Sequence, residues 1–320
     1  MRAHPPNTSR RALVALAGLV AVLAAAGLAA CGASGSPSAQ TLLSQTFESH
    51  KPIESGRLDL SLALSPAGSG GALSSSEAFA LRLRGPFQSL GPARLPRFAL
   101  QLSLRAAGLT LQAGATSTAG KFFIELAGKP FLAPASTVAA LQNGYAQATR
   151  ASTPAQRRST FGALGLDPTR WLVHPTLAGT ATVAGAETVH IVAGLNASRF
   201  LADAERLSGA GGTLGLGAGG PGALFSAARL SALSSSVRSA RVDVYAGAHD
   251  HLLRRLSLSA TLSTTSQARA ALGALRGASI TLVLQFAGLN QPQAIPAPSN
   301  PQPISQLGPA LQRLGLVPGG

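Results

Sequence analysis

Strict alternation of apolar and polar residues recurs along this chain and constrains its fold more than any other feature. In 57–64 (RLDLSLAL), an extended backbone puts Leu58, Leu60, Leu62 and Leu64 on one side, and Arg57, Asp59 and Ser61 on the other. The same period of two returns in 79–84 (FALRLR), 98–105 (FALQLSLR), 109–116 (LTLQAGAT) and 121–127 (KFFIELA). A later group spans 240–246, 252–262 and 279–286. There Leu256, Leu258 and Leu262 share a face, as do Ile280, Leu282, Leu284 and Phe286. Strands with one dry and one wet side belong to an antiparallel sheet, because parallel sheets are covered on both faces.

Helical spacing separates the two strand groups. Residues 40–50 place Leu42, Leu43, Phe47 and His50 on one helical face, and 136–149 follow Pro134 with a second helical pattern. Asp167-Pro168 reads as an N-cap with proline at the first helical position, opening a turn that carries Trp171. Residues 180–195 read as a hairpin turning near Gly185, after which Asn196 caps a helix through Leu207. The Gly-rich stretch 208–222 lacks a phosphate-loop lysine and reads as an insertion; 223–238 suggest a further helix, and 291–303 extended coil or edge strand. Strands grouped at both ends with helices between them make the class α+β. The expected architecture is a curved antiparallel half-barrel wrapped over the helices, with an apolar interior. The expected organisation is a tether at 31–39, one domain at 40–307 with the Gly-rich insertion, and a tail at 308–320.

The N-terminus reads as an export signal. Arg2, Arg10 and Arg11 precede an uninterrupted apolar run, 12–30, in which small residues crowd the end. The run closes at Leu28-Ala29-Ala30-Cys31, followed by Gly32. This tetrapeptide resembles the bacterial lipobox, which implies cleavage before Cys31 and its diacylation. A plain signal peptide or a membrane span is the competing reading, since the run is long enough to cross a bilayer. Against it, Cys31 is the chain's one cysteine, and the small polar segment after it suits a spacer. With Cys31 acylated, no thiol remains for a disulfide, a nucleophile or a metal ligand. The expected location is the extracytoplasmic face of the cell membrane.

The formal charge is +15, of which three arginines lie in the signal segment. The remaining arginines are scattered singly, apart from Arg157-Arg158 and Arg254-Arg255, which fits weak attraction to anionic headgroups or a merely solvated surface. Nucleic acid is an unsuitable partner outside the cell. Hydrolytic chemistry needs a nucleophile with a base, paired carboxylates or a metal. The chain has 11 acids, mostly isolated, and no G-x-S-x-G, S-x-x-K or H-E-x-x-H motif. His249-Asp250-His251 falls between two strand patterns and reads as a polar turn rather than a metal site. His174 and His190 are lone, Trp171 reads as core, and Asn196 as a cap. The sequence therefore implies no catalytic residue, metal or cofactor.

Several weak motifs together resemble actinobacterial lipoproteins of the LppX/LprG type, which are similar in fold to the LolA/LolB carriers. They are the lipobox, 53–60 (IESGRLDL), Trp171, 185–191 (GAETVHI), Asn196, 254–258 (RRLSL) and 286–292 (FAGLNQP). The resemblance spans most of 40–307 and implies an apolar cavity for lipid chains, with the Gly-rich stretch as a departure. The ligand-facing candidates are Leu58, Leu60, Leu62, Phe98, Leu100, Leu102, Ile280, Leu282 and Leu284. A carrier of lipid or another apolar ligand is the expected function; the alternative is a surface lipoprotein that scaffolds or senses through protein contacts.

Overall fold

The structure, a computed structural model, describes residues 37–48, 51–66, 79–91, 93–106, 108–151, 166–212, 232, 234–265 and 277–313. Helix α1 (Ala39–Phe47) leads into strands β1 (Ser55–Pro66), β2 (Phe79–Gln88), β3 (Arg97–Ala106), β4 (Leu109–Thr118), β5 (Lys121–Leu126) and β6 (Lys129–Leu132). Helix α2 (Ala135–Ala151) and a short 3-10 turn (Pro168–Arg170) precede β7 (Leu172–Val183), β8 (Ala186–Leu195) and helix α3 (Ala197–Gly212). The chain closes with β9 (Val237–Gly247), β10 (Leu253–Ser263), β11 (Gly277–Ala287), β12 (Gln302–Pro303) and helix α4 (Leu307–Arg313).

The twelve described strands join one sheet in the order β12-β6-β5-β4-β3-β2-β1-β11-β10-β9-β8-β7. Its pairs are antiparallel except β12 with β6. The sheet stays open, with β7 and β12 as its edges. The N-terminal and C-terminal strand groups meet in the middle, where β1 pairs β11 from Arg57↔Ala287 to Pro66↔Ala278. The expected α+β class and large open antiparallel sheet are what the chain forms.

Two apolar clusters hold the ends. In the first, Ala39, Leu42, Leu43 and Phe47 of α1 pack on Ile191, Val242, Val244, Leu256 and Leu258, with Phe200 of α3 against them. Ser38 starts α1 as its N-cap, its hydroxyl oxygen accepting the Thr41 amide at 3.1 Å. The second cluster joins Leu126 and Phe131 to Ala310 of α4, with Leu111, Ile304, Leu307 and Leu311 around them.

Local chemistry explains several turns. Asn196 caps α3 through its side-chain oxygen, which accepts the Arg199 amide at 3.2 Å. Trp171 stands edge-on to Phe200 and donates its indole N–H to buried Asp203 at 2.9 Å. Gly85 of β2 lies at φ 153°, and a β-carbon there would fall on the Ala99 carbonyl oxygen of β3.

Some expectations need correction. The sheet's described cover comes largely from the leading helix α1 rather than the central helix at 136–149; α2 belongs to neither apolar cluster. The helix suggested over 223–238 has given way by Val237, the first residue of β9, because the apolar-polar alternation of 237–247 joins the sheet. Part of the segment read as a tail is helical: Leu307–Arg313 form α4 and bury Ala310. Strand β6 was not foreseen. Of the Gly-rich stretch, 208–212 extend α3, and 213–222 lie outside the described residues, as does His50.

A candidate ligand face on the sheet

Cross-strand register assembles the alternating leucines into rows that run across the sheet. One row passes through Leu126, Ala113, Leu102, Leu83, Leu60, Leu284, Leu256, Val244 and Ile191. The next passes through Leu111, Leu104, Leu81, Leu62, Leu282, Leu258, Val242 and Ala193. Side chains directly opposite one another in antiparallel strands share a face, so each row is continuous.

Burial along these rows is uneven. Leu256, Val244 and Ile191 are 5%, 0% and 0% exposed, and Leu126 at the far end is 6% exposed. Between them, Ala113, Leu102, Leu83, Leu60 and Leu284 are only partly buried. The neighbouring row repeats this from Leu111 to Leu282. Leu60, Leu62, Leu81, Leu83, Leu100, Leu102 and Leu104 belong to neither apolar cluster. The partly covered area spans five strands, β4-β3-β2-β1-β11. At about 4.8 Å per strand spacing, it is roughly 19 Å wide.

All nine residues singled out from the sequence are partly buried strand residues. Leu58, Leu60 and Leu62 face Phe286, Leu284 and Leu282 directly across β1 and β11, and Ile280 faces Leu64. Phe98 and Leu102 lie beyond β2, opposite Phe87 and Leu83, with Leu100 between them on β3. Four of the nine, Leu58, Ile280, Leu282 and Leu284, touch the cluster under α1. Sequence reasoning omitted Leu81 and Leu83, which bridge β1 to β3, although the FALRLR alternation carries them. It also omitted Leu64, Leu104 and Leu111 of the same face.

The opposite face is polar, and two depressions outlined by described residues lie there. One, of about 600 Å³, is lined by Arg57, Asp59, Arg84, Gln101 and Gln285 among others. The other, of about 260 Å³, adjoins it at Arg84 and Gln101. Neither is the apolar interior expected between sheet and helices.

Also on the polar face, Asp243 accepts from Arg241 Nη2 and from His190 Nε2, each at 2.8 Å, while Tyr245 stacks on His190. The Arg241 hydrogen bond, more than that of His190, holds the Asp243 carboxyl below its ordinary range. The 249–251 segment lies in the β9–β10 turn, where Asp250 accepts the Leu252 amide at 3.0 Å and pairs with Arg254. Among the described residues, no group of three His, Cys, Asp or Glu side chains could hold a metal ion.

No protein-family model and no curated protein matches this chain. Solved structures similar to it include LprF from Mycobacterium bovis, 14% identical, with a TM-score of 0.41 over 82% of this chain and 99% of that one. Lipoprotein LppX from Mycobacterium tuberculosis is 10% identical, with a TM-score of 0.30 over 80% of this chain and 94% of that one. MucB is 12% identical, with a TM-score of 0.23 over 82% of this chain and 63% of that one. LprF and LppX stand among the structures this chain is similar to.

Proposed function

We propose that this chain is an extracytoplasmic lipoprotein, anchored through a diacylated Cys31, that holds a lipid or another apolar ligand against the leucine face of its sheet. The observation that carries this reading is the pattern of burial along the two rows. Fully burying a leucine contributes about 1.5–3 kcal/mol. Leu60, Leu62, Leu81, Leu83, Leu102 and Leu104 realise only part of that in the protein alone. Flexible hydrocarbon laid along the rows would recover it without rearranging the two packed ends.

The chemistry of the face suits such a ligand. Its middle is leucine and alanine, so contact is non-directional and tolerant of chain length. Phenylalanines stand at its margins, where Phe87 meets Phe286 edge-on and Phe98 meets Phe122. The described residues of the two rows are all aliphatic, and we assign the protein no catalytic step.

The anchor rests on the sequence. Cys31 precedes the first described residue, and no described helix is long and apolar enough to cross a membrane. Two acyl chains give stable attachment because each buried methylene contributes about 0.8 kcal/mol. We also propose that 40–307, together with the packed helix α4, fold as one domain behind a tether at 31–39, with the Gly-rich stretch as an insertion.

The test is organic extraction of the full chain, purified from membranes in a neutral detergent, followed by mass spectrometry. A bound lipid close to one per chain, in addition to the anchor on Cys31, is expected. A chain bearing its anchor but no second apolar molecule would favour the scaffold or sensor instead.

A further inference from the structure

We propose that the polar face of the sheet carries a phosphate-binding site centred on Arg57 and Arg84, on the opposite side from the leucine rows and independent of them. Four strands build it. Asp59 on β1 lies directly between Gln285 on β11 and Arg84 on β2, and Arg84 in turn faces Gln101 on β3. Arg57, one alternation away, is flanked by Ala287 and Pro86, and Ala99 of β3 lines the same depression. The small side chains leave the depression of about 600 Å³ that these residues line. That volume lies within the range of small-molecule sites.

The arrangement of charge points to an anion. Arg84 stands opposite Asp59, the partner that register offers it. Both Asp59 oxygens instead accept from Arg82, at 3.1 Å from Nε and 2.6 Å from Nη2. Arg57 and Arg84 therefore have no ion pair or side-chain hydrogen bond among the described residues. They are diagonal neighbours on adjacent strands, roughly 7–8 Å apart at the backbone and within reach of long side chains. Two like charges so placed repel each other, and a shared anion relieves that repulsion.

Phosphate suits the pair because each planar guanidinium can donate two parallel hydrogen bonds to it. Gln101 and Gln285 add carboxamides that donate and accept, which suits the hydroxyls of a phosphate ester. Glu125 lines the smaller depression beyond Gln101. Arg82, the other arginine there, is engaged by Asp59, so Arg84 meets a second uncommitted arginine, Arg57, on the Arg57–Gln285 side.

The experiment is calorimetric titration of the full chain in neutral detergent with inorganic phosphate and with glycerol 3-phosphate. Saturable binding of both is expected, weakened at least tenfold by Arg57→Gln with Arg84→Gln. Arg105→Gln, on the same face outside the depression, should change it less than twofold. Should the double variant melt differently from the parent, Gln285→Leu replaces it, with preferential loss of glycerol 3-phosphate over phosphate expected. Micelles doped with phosphatidylglycerol or phosphatidylcholine separate the sources. Retention on phosphatidylglycerol micelles, reversed by glycerol 3-phosphate, identifies a lipid headgroup; binding of the soluble esters alone identifies a free phosphate. No saturable phosphate binding would overturn the proposal, as would equal losses in the double variant and Arg105→Gln.

Discussion

Leu60 and Leu284 stand directly opposite one another across the antiparallel pair β1–β11, although they come from opposite ends of the chain. Their contact joins the N-terminal strands to the C-terminal ones, and both side chains remain only partly buried. The seam of the sheet thus lies within its leucine face, at the β11 edge of the partly covered strands.

Position within a row should decide how a bulky substitution acts. Leu83→Trp and Leu102→Trp place an indole over a partly covered surface and should displace bound lipid while leaving the thermal melt nearly unchanged. Leu256→Trp, in the same row but 5% exposed, should overpack the cluster under α1 and cost about 1–3 kcal/mol. Melting curves and extracted lipid, measured on the same samples, separate the two effects.

Truncation should give the complementary result. Leu43 is 1% exposed and central to the α1 cluster, so Leu43→Ala should cost about 2–5 kcal/mol through lost burial and a residual cavity. Leu83→Ala should cost less than about 1.5 kcal/mol, since its side chain is only partly buried. Denaturant titration of detergent-solubilised protein checks both.

Asp243 gives a pH dependence of known sign. Its hydrogen bonds from Arg241 and His190 hold the folded-state carboxyl below the ordinary value of 3.8. Its contribution is therefore present above that value and is lost as pH falls through the lower, folded one. Asp243→Asn should destabilise by about 1 kcal/mol near pH 6, a figure kept small because solvent screens the exposed Arg241 partner. The difference from the parent should shrink once the pH drops below about 4. Stability measured against pH for the two proteins tests this.

Gly85 should tolerate no side chain. At φ 153°, with the Ala99 carbonyl where a β-carbon would stand, Gly85→Ala must part β2 from β3 locally. A loss of about 1–3 kcal/mol is expected, from backbone strain together with weakened pairing. Faster amide exchange at 97–101 than in the parent is the accompanying signature.

The strands and their two faces were legible because alternation is local: Leu58 to Leu64 and Ile280 to Phe286 state their own orientation. The β1–β11 pairing was not, since no local signal tells Leu60 that its neighbour is Leu284. Strand β6 escaped notice because four residues with Pro130 among them show too little periodicity; Phe131, 0% exposed, was its one strong sign. Helix α4 escaped because its apolar face is only Leu307, Ala310 and Leu311, and its value appears once Phe131 is in place. Burial along the rows depends on which helix covers which strands, and so needed the fold. For the same reason, Leu256 and Leu284 look alike in sequence and differ in the protein.

A photoreactive fatty acid offers the most direct test of the leucine face. After irradiation with the full chain in neutral detergent, peptide mapping should place the adducts on inward residues of β1, β2 and β3, among them Leu60, Leu83 and Leu102. Unlabelled fatty acid should compete the labelling away, and Leu83→Trp should reduce it. Labelling confined to the polar face, or labelling that competitor leaves unchanged, would contradict the account.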